Sequence, residues 1–530
     1  MRSLPPLSLV LRVCSLAAFA LVVGCESAKA PAPATVDPSV SPATGDEQEI
    51  VDIASTPVKN QSIGNCWVYA TTAWAESLHL RGTGQTKNLS ESWVTYWDWY
   101  DKLVSRGSAG SEKIEAGGFF QSAVAIMGKY GMVEEGAFIE GEAESDRSSA
   151  QGRAESAINA SMSNGALKKS RSPEVVRAEL DKAFGLSAPV VANMTATFGA
   201  GAPRPIGAVP KGFALHTADA LQVAHKTPGK AATVVPLRTE LSGWEEISPA
   251  NTPDRRKLIR RVQKALHDGQ PAIVVWNVSW AARSGATFAK MGATNKVDGV
   301  HMTLLEDYQA ALVPNFGTLP AGVTVTDPRV LDAALANQVE VSFFRVKNSW
   351  GASGDPSGSG NYKGYVDLYQ QYLFPTDAGA PQGVVSFVIP RAYDGLEPAG
   401  LFPDLCGKAP GAATGTYCAQ ALSGKPDVRL LTCDTGYTSA MSVCGGGCSG
   451  SPASQACGGA PQPAANPCTK AAQGAGPYCG SALGLASNAP GSSALFSCQK
   501  DPVSGLWISP SKPCAGGCLD AGPGSADRCK

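Results

Sequence analysis

Cysteine placement divides this chain before any other feature does. Of 15 cysteines in 530 residues, twelve fall between Cys406 and Cys529. Cys14 and Cys25 lie near the start, and Cys66 stands alone in the long middle. The twelve form two similar runs. Cys406, Cys418, Cys433, Cys444, Cys448 and Cys457 are spaced by 12, 15, 11, 4 and 9 residues. Cys468, Cys479, Cys498, Cys514, Cys518 and Cys529 are spaced by 11, 19, 16, 4 and 11. Tyr417-Cys418 echoes Tyr478-Cys479, and Gly446-Gly447-Cys448 echoes Gly516-Gly517-Cys518. A dense, even-numbered set in a Gly/Pro-rich stretch implies small disulfide-stapled modules and an oxidising compartment. The Cys-x3-Cys pairs raise zinc, but both runs lack histidine, so disulfides are expected and no metal. Two modules follow, 397–460 and 461–530. Cys66 is then the odd thiol.

The N-terminus agrees with export. Arg2 precedes an apolar run from Val13 to Val23, too short for a bilayer and suited to a signal peptide over 1–24. Its end, Leu21-Val22-Val23-Gly24-Cys25, resembles the lipobox of bacterial lipoproteins. That resemblance implies an acylated Cys25, a lipid anchor in a bacterial membrane, and a cell-envelope location. Residues 25–49 are a Pro/Ala-rich linker. With 44 basic against 45 acidic residues, the net charge of -1 gives no case for nucleic acid as partner.

Residues 50–396 are globular in pattern. Cys66 opens a helix whose small residues Ala70, Ala73 and Ser77 share its face, after a loop with Pro57, Gly64 and Asn65. Ser90 is placed to cap a second helix, where Trp93, Tyr96, Trp97 and Tyr100 have core spacing. Gly117-Gly118 interrupts before a third helical stretch, Phe119–Tyr130. Residues 140–200 read as helical, and Asp254–His267 as a further helix. Strands are expected at 272–278, 302–305, 341–346, 364–368 and 384–389. Helices first and strands second make an α+β plan in two subdomains.

The chemistry centres on Cys66. A thiolate attacks carbonyls, and a helix N-terminus and a nearby imidazole both stabilise the anion. Five histidines exist. His301, in Gly299-Val300-His301-Met302, starts an apolar strand and is the candidate base. Asn348, in Lys347-Asn348-Ser349-Trp350-Gly351, ends another strand beside a tryptophan. His79 and His267 fall on helices and receive no role. His216 and His225 lack the further ligands a metal would need.

Gln61-Ser62-Ile63-Gly64-Asn65-Cys66-Trp67 resembles the nucleophile loop of papain-like (C1) cysteine peptidases. Lys347-Asn348-Ser349-Trp350-Gly351 resembles their Asn motif, and Gly117-Gly118 their substrate-binding pair, all in the family's order. The resemblance implies a papain-like two-subdomain fold, with a helical part and an antiparallel barrel-like part. It also implies thiol-dependent hydrolysis of peptide or protein substrates without a cofactor. It makes Cys66 the nucleophile, His301 the base and then acid, and Asn348 the orienter of the ring. Gln61 would serve the oxyanion, Trp350 would shield the His–Asn hydrogen bond, and Gly118 would pair with substrate backbone. Leu89–Asp98, Lys129–Val133 and Phe344–Trp350 resemble segments of the bleomycin hydrolase/aminopeptidase C branch.

The chain departs from the family in three places. Ile63 stands where papain proper has a second cysteine. The stretch from Cys25 to Ile50 has no room for a papain-type propeptide. The chain also runs on past the peptidase, unlike the hydrolase branch, whose C-terminus lies in the cleft. Gln309–Asn337 reads as an inserted loop near the cleft. The tail is expected to bind a surface polysaccharide or to act as a protease-resistant spacer. A catalytically silent adhesin that kept the fold is the competing function.

Overall fold

The structure is a computed structural model. It describes residues 53–457, apart from 54, 107–112, 144, 146, 252–253, 323–324, 353–362, 397–403, 425–426, 428 and 445–447, and a few strands beyond. The signal, lipobox and linker, and most of the second module, lie outside the described residues.

The helical part begins with α1 (Cys66–Thr83), α2 (Glu91–Ser105) and α3 (Phe120–Tyr130). It continues with α4 (Ser149–Asn164), α5 (Pro173–Phe184) and α6 (Ala188–Phe198). The Ser90 hydroxyl accepts the Trp93 N–H and caps α2, as its sequence signature requires. The α2 aromatics are core. Trp93, Tyr96 and Trp97 are fully buried, and Trp97 stacks on Tyr130 at 3.9 Å. Helix α1 is buried on nearly every side, which explains its small residues.

The second part follows as α7 (Arg255–His267) and a nine-stranded sheet. Its strands are β1 (Trp244–Ile247), β2 (Ala272–Val278), β3 (Arg283–Ser284), β4 (Thr287–Phe288) and β5 (Gly299–Val313). Then come β6 (Gly317–Leu319), β7 (Glu340–Lys347), β8 (Tyr365–Tyr369) and β9 (Val384–Pro390). The order is β1-β9-β2-β5-β7-β8-β4-β3, with β6 paired to β5. Only β8 and β4 run parallel. Alternation along β2 separates two cores. Ile273 and Val275 face the helices, while Val274 and Trp276 face the core beyond the sheet. The architecture is α+β, as the sequence implied.

The insertion over Gln309–Asn337 differs from the loop expected near the cleft. Its first residues extend β5, and it adds β6 and α8 (Pro328–Ala334). It sits at the end of β5 remote from His301. Arg256 and Arg260 of α7 donate to the carbonyls of Ala336 and Leu335, satisfying the buried C-terminal end of α8. The insertion also carries the tail. Leu405 N–H donates to Asn315 Oδ1 at 2.9 Å, and the Arg429 guanidinium lies over Phe316. Gly317, at φ +76°, has room for no side chain: a Cβ there would be 2.7 Å from the Ser439 carbonyl.

The first module is a three-stranded sheet, β10 (Gly415–Cys418), β11 (Arg429–Asp434) and β12 (Tyr437–Val443). Its six cysteines pair among themselves: Cys406–Cys433, Cys418–Cys448 and Cys444–Cys457. Cys66 lies outside any disulfide.

Candidate active site

Cys66 is the first residue of α1, and 1% of its surface is exposed. The preceding Asn65 does not cap the helix with its side chain. Its amide donates instead to Thr95 Oγ1 and Gln151 Oε1. Gln151 in turn donates to Ser92, and Ser92 to the Glu142 carboxylate. Burial of that carboxyl pushes its pKa up to about 7, against a lowering by the Ser92 hydrogen bond. A buried polar chain thus leads from Glu142 to the residue beside the thiol.

His301 is the third residue of β5, opposite Trp276 of β2, and is fully buried. Its Nε2 meets Asn348 Oδ1 at 2.7 Å. The same oxygen accepts the Ser349 N–H at 2.8 Å, which fixes the orientation of the amide. Nε2 therefore carries a proton, and in the neutral ring Nδ1 holds the basic lone pair. The Trp350 indole stacks on the imidazole at 4.6 Å and 17°. It covers the His–Asn hydrogen bond with apolar surface.

Gln61 is buried beside these groups. Its Oε1 accepts the Ser349 hydroxyl, its Nε2 donates to Ile63 O, and its N–H donates to Ser349 O. The amide nitrogen has two protons, of which that bond uses one. The glycine pair packs against Trp67, the residue after the thiol. Trp67 Nε1 donates to Ala116 O, and Lys102 holds the Gly117 carbonyl at 2.7 Å. Gly118 lies flat on the Trp67 indole, where a Cβ would stand 2.5 Å from the ring.

Beneath the site is a small cavity of about 20 Å³, room for about one water molecule. Ala70, Ala73, Met302 and Asn348 are among its lining residues, which ties α1 to β5 and the end of β7. Its floor is a charge cluster that sequence reasoning missed. Lys59 Nζ lies 2.8 Å from Glu91, 3.1 Å from Glu135 and 3.7 Å from Glu76. Burial alone would lower the Lys59 pKa, but those carboxylates outweigh it and push it up. Lys347 donates to Thr56, whose hydroxyl bonds Glu76. Lys59 and Lys347 flank the Gln61 and Asn348 segments. The signal for them was weak, because Lys59 and Glu91 are 32 residues apart.

The remaining histidines do not join the site. His216 pairs with Glu134, His225 with Glu240, and His267 with Tyr308. Among the described residues no cluster has the makeup of a metal site.

No protein-family model matches the chain, and no curated protein matches it. Among solved structures, it is similar to xylellain, a cysteine protease from Xylella fastidiosa, at 13% identity. That likeness covers 70% of this chain and 97% of that one, with a TM-score of 0.31. It is also similar to the bromelain protease from Ananas comosus, in complex with the E64 inhibitor, at 14% identity. There it covers 65% and 98%, with a TM-score of 0.28. The Amb a 11 cysteine protease of ragweed pollen, in its proform, matches at 14% over 68% and 71%, with a TM-score of 0.30. At such scores these likenesses carry no weight beside the geometry of the chain itself.

Proposed function

We propose that the chain is a papain-like cysteine peptidase, with Cys66 as nucleophile, His301 as base and acid, and Asn348 as orienter. One observation carries the reading: the His301 Nε2–Asn348 Oδ1 hydrogen bond under Trp350 leaves Nδ1 as the basic nitrogen. That is the tautomer a thiol–imidazole pair requires.

The Cys66 proton passes to His301 Nδ1, and the thiolate sulfur bonds to the substrate's carbonyl carbon. The oxyanion that forms is met by the Cys66 N–H and the second Nε2 proton of Gln61. Such a donor is worth about 3–4 kcal/mol in the barrier. His301 then gives its proton to the departing amine as the C–N bond breaks. Water, deprotonated by the same nitrogen, hydrolyses the thioester and restores the thiol. Gly118, bare of a side chain against Trp67, is where substrate backbone approaches on the acyl side.

The finer reading follows the sequence. The chain resembles the bleomycin hydrolase/aminopeptidase C branch, and it is exported and anchored to a bacterial membrane through an acylated Cys25. Its tail holds it at a surface polysaccharide. Cys25→Ser is expected to move the protein from the membrane to the soluble export fraction. An unchanged membrane fraction would remove the anchor. Hydrolysis of an unfolded peptide by wild type, lost in Cys66→Ala, tests the enzyme. Equal rates in both would sink it.

A further inference from the structure

The mechanism leaves unused a cation set beside the base. Arg283 opens the short β3–β4 hairpin at the edge of the sheet. Its guanidinium lies 5.5 Å from the Trp350 ring and 5.6 Å from the Trp280 ring. The two indoles contact each other at 4.9 Å. Arg283 is thus one indole away from His301. It is half-buried, and Nε donates to Gly285 O. Among the described residues no carboxylate lies within ion-pair distance of it. The nearby Asp298 uses its Oδ2 to accept the Trp280 N–H. Burial lowers the guanidinium's pKa with no opposing charge to raise it, which marks a cation short of a counter-ion. Trp280 is 38% exposed, a large indole left open beside the cation.

The hairpin holds this pair rigidly. Phe288 of β4 is fully buried against Trp276 at 4.8 Å, and Thr287 and Phe288 pair with Asp367 and Leu368 of β8. Trp276 is also the cross-strand partner of His301. Arg283 and the base therefore share one framework.

We propose that Arg283, backed by Trp280, is a specificity residue that binds a substrate carboxylate on the leaving-group side of the scissile bond. The proposal deepens the peptidase reading and rests on it. The side follows from the chemistry. Gly118 takes the acyl half next to Trp67, and His301 must reach the leaving nitrogen. The departing half therefore runs past Trp350 toward Trp280 and Arg283. An extended chain advances about 3.3 Å per residue. A cation one indole beyond the base meets a carboxylate on the first or second residue after the cut. That carboxylate has two sources: a substrate's C-terminus, giving removal of one or two residues, or an Asp or Glu side chain. A fork-shaped, weakly hydrated guanidinium suits either.

Two peptide pairs separate the sources. The first is a peptide with a free C-terminus two residues past the cut, against its C-terminal amide. The second is a longer amidated peptide with Glu at the first or second leaving-group position, against Gln there. Wild type is expected to favour the carboxylate member of one pair by about tenfold in kcat/KM, the worth of a charge-assisted hydrogen bond. Arg283→Ala should bring that ratio to about one, Arg283→Lys should keep part of it, and Arg283→Glu should reverse it. Ratios near one in wild type for both pairs, with peptides cleaved, would overturn this proposal alone. So would a preference that survives Arg283→Ala. Failure to cleave any of the four peptides would overturn the peptidase reading as well.

Discussion

The body and the first tail module solve stability in opposite ways. The body buries two large apolar cores and keeps its one cysteine as a thiol. The module's core is six residues, two of them disulfide-bonded cysteines, and three disulfides close loops of 27, 30 and 13 residues. A small domain that cannot bury enough surface needs such staples. The contrast shows how one chain can hold a free thiol among many cysteines. The module's cysteines are consumed locally, and the thiol sits at a helix start buried in the first apolar core.

The largest expected effect breaks the body's side of the comparison. Cys66→Ala should cost about 10⁴-fold or more in kcat/KM while leaving the thermal transition in place. An unfolded variant would mean that the thiol serves packing instead. Reduction attacks the other side. Each module disulfide is worth about 2–4 kcal/mol. Dithiothreitol should therefore expose residues 404–457 to proteolysis and hydrogen exchange while hydrolysis continues. Loss of activity in step with the module would show that the docking at Asn315 and Phe316 supports the catalytic body.

Asn348→Ala should lower kcat by about 10²-fold with little change in KM, because it orients the base and makes no bond to substrate. Unchanged kcat would show that Trp350 stacking alone holds His301.

The smallest effect concerns the buried chain behind Cys66. Glu142 has its pKa raised by burial to about 7, above the unfolded value. Its neutral form contributes stability that is fully present below about pH 4.5 and is lost as pH rises through about 7, up to about 3 kcal/mol. Glu142→Gln should flatten the fall in melting temperature across that window. Identical slopes in variant and wild type would place the carboxyl in a more solvated setting.

Much of the fold was legible where periodicity is local. The helix from Cys66, the cap at Ser90 and the strand at 272–278 follow from neighbours in sequence. The insertion was not, because its signal is tertiary. Ala310, Val313, Leu331 and Ala334 reveal themselves only by burial in the second core, and the carbonyls closing α8 find donors on a helix about 75 residues earlier. At the site, the residues inside dense motifs were legible, and the structure joins His301 to Asn348 and Gln61 to Ser349. Lys59, Glu142 and Arg283 were not, since nothing beside them in sequence hints at their surroundings. Docking of the module on Asn315 to Gly317 also qualifies the tail's independence, because a turn with no local signature meets Leu405 and Ser439 of the module there.

The most direct test is the reactivity of Cys66 toward iodoacetamide in the unreduced protein at about pH 5.5, where an ordinary thiol is almost wholly protonated. The account predicts one labelled cysteine, located at Cys66, with hydrolysis lost in proportion to label and labelling slowed in Asn348→Ala. A Cys66 that stays unlabelled until the protein is unfolded, or that labels without loss of hydrolysis, would contradict it.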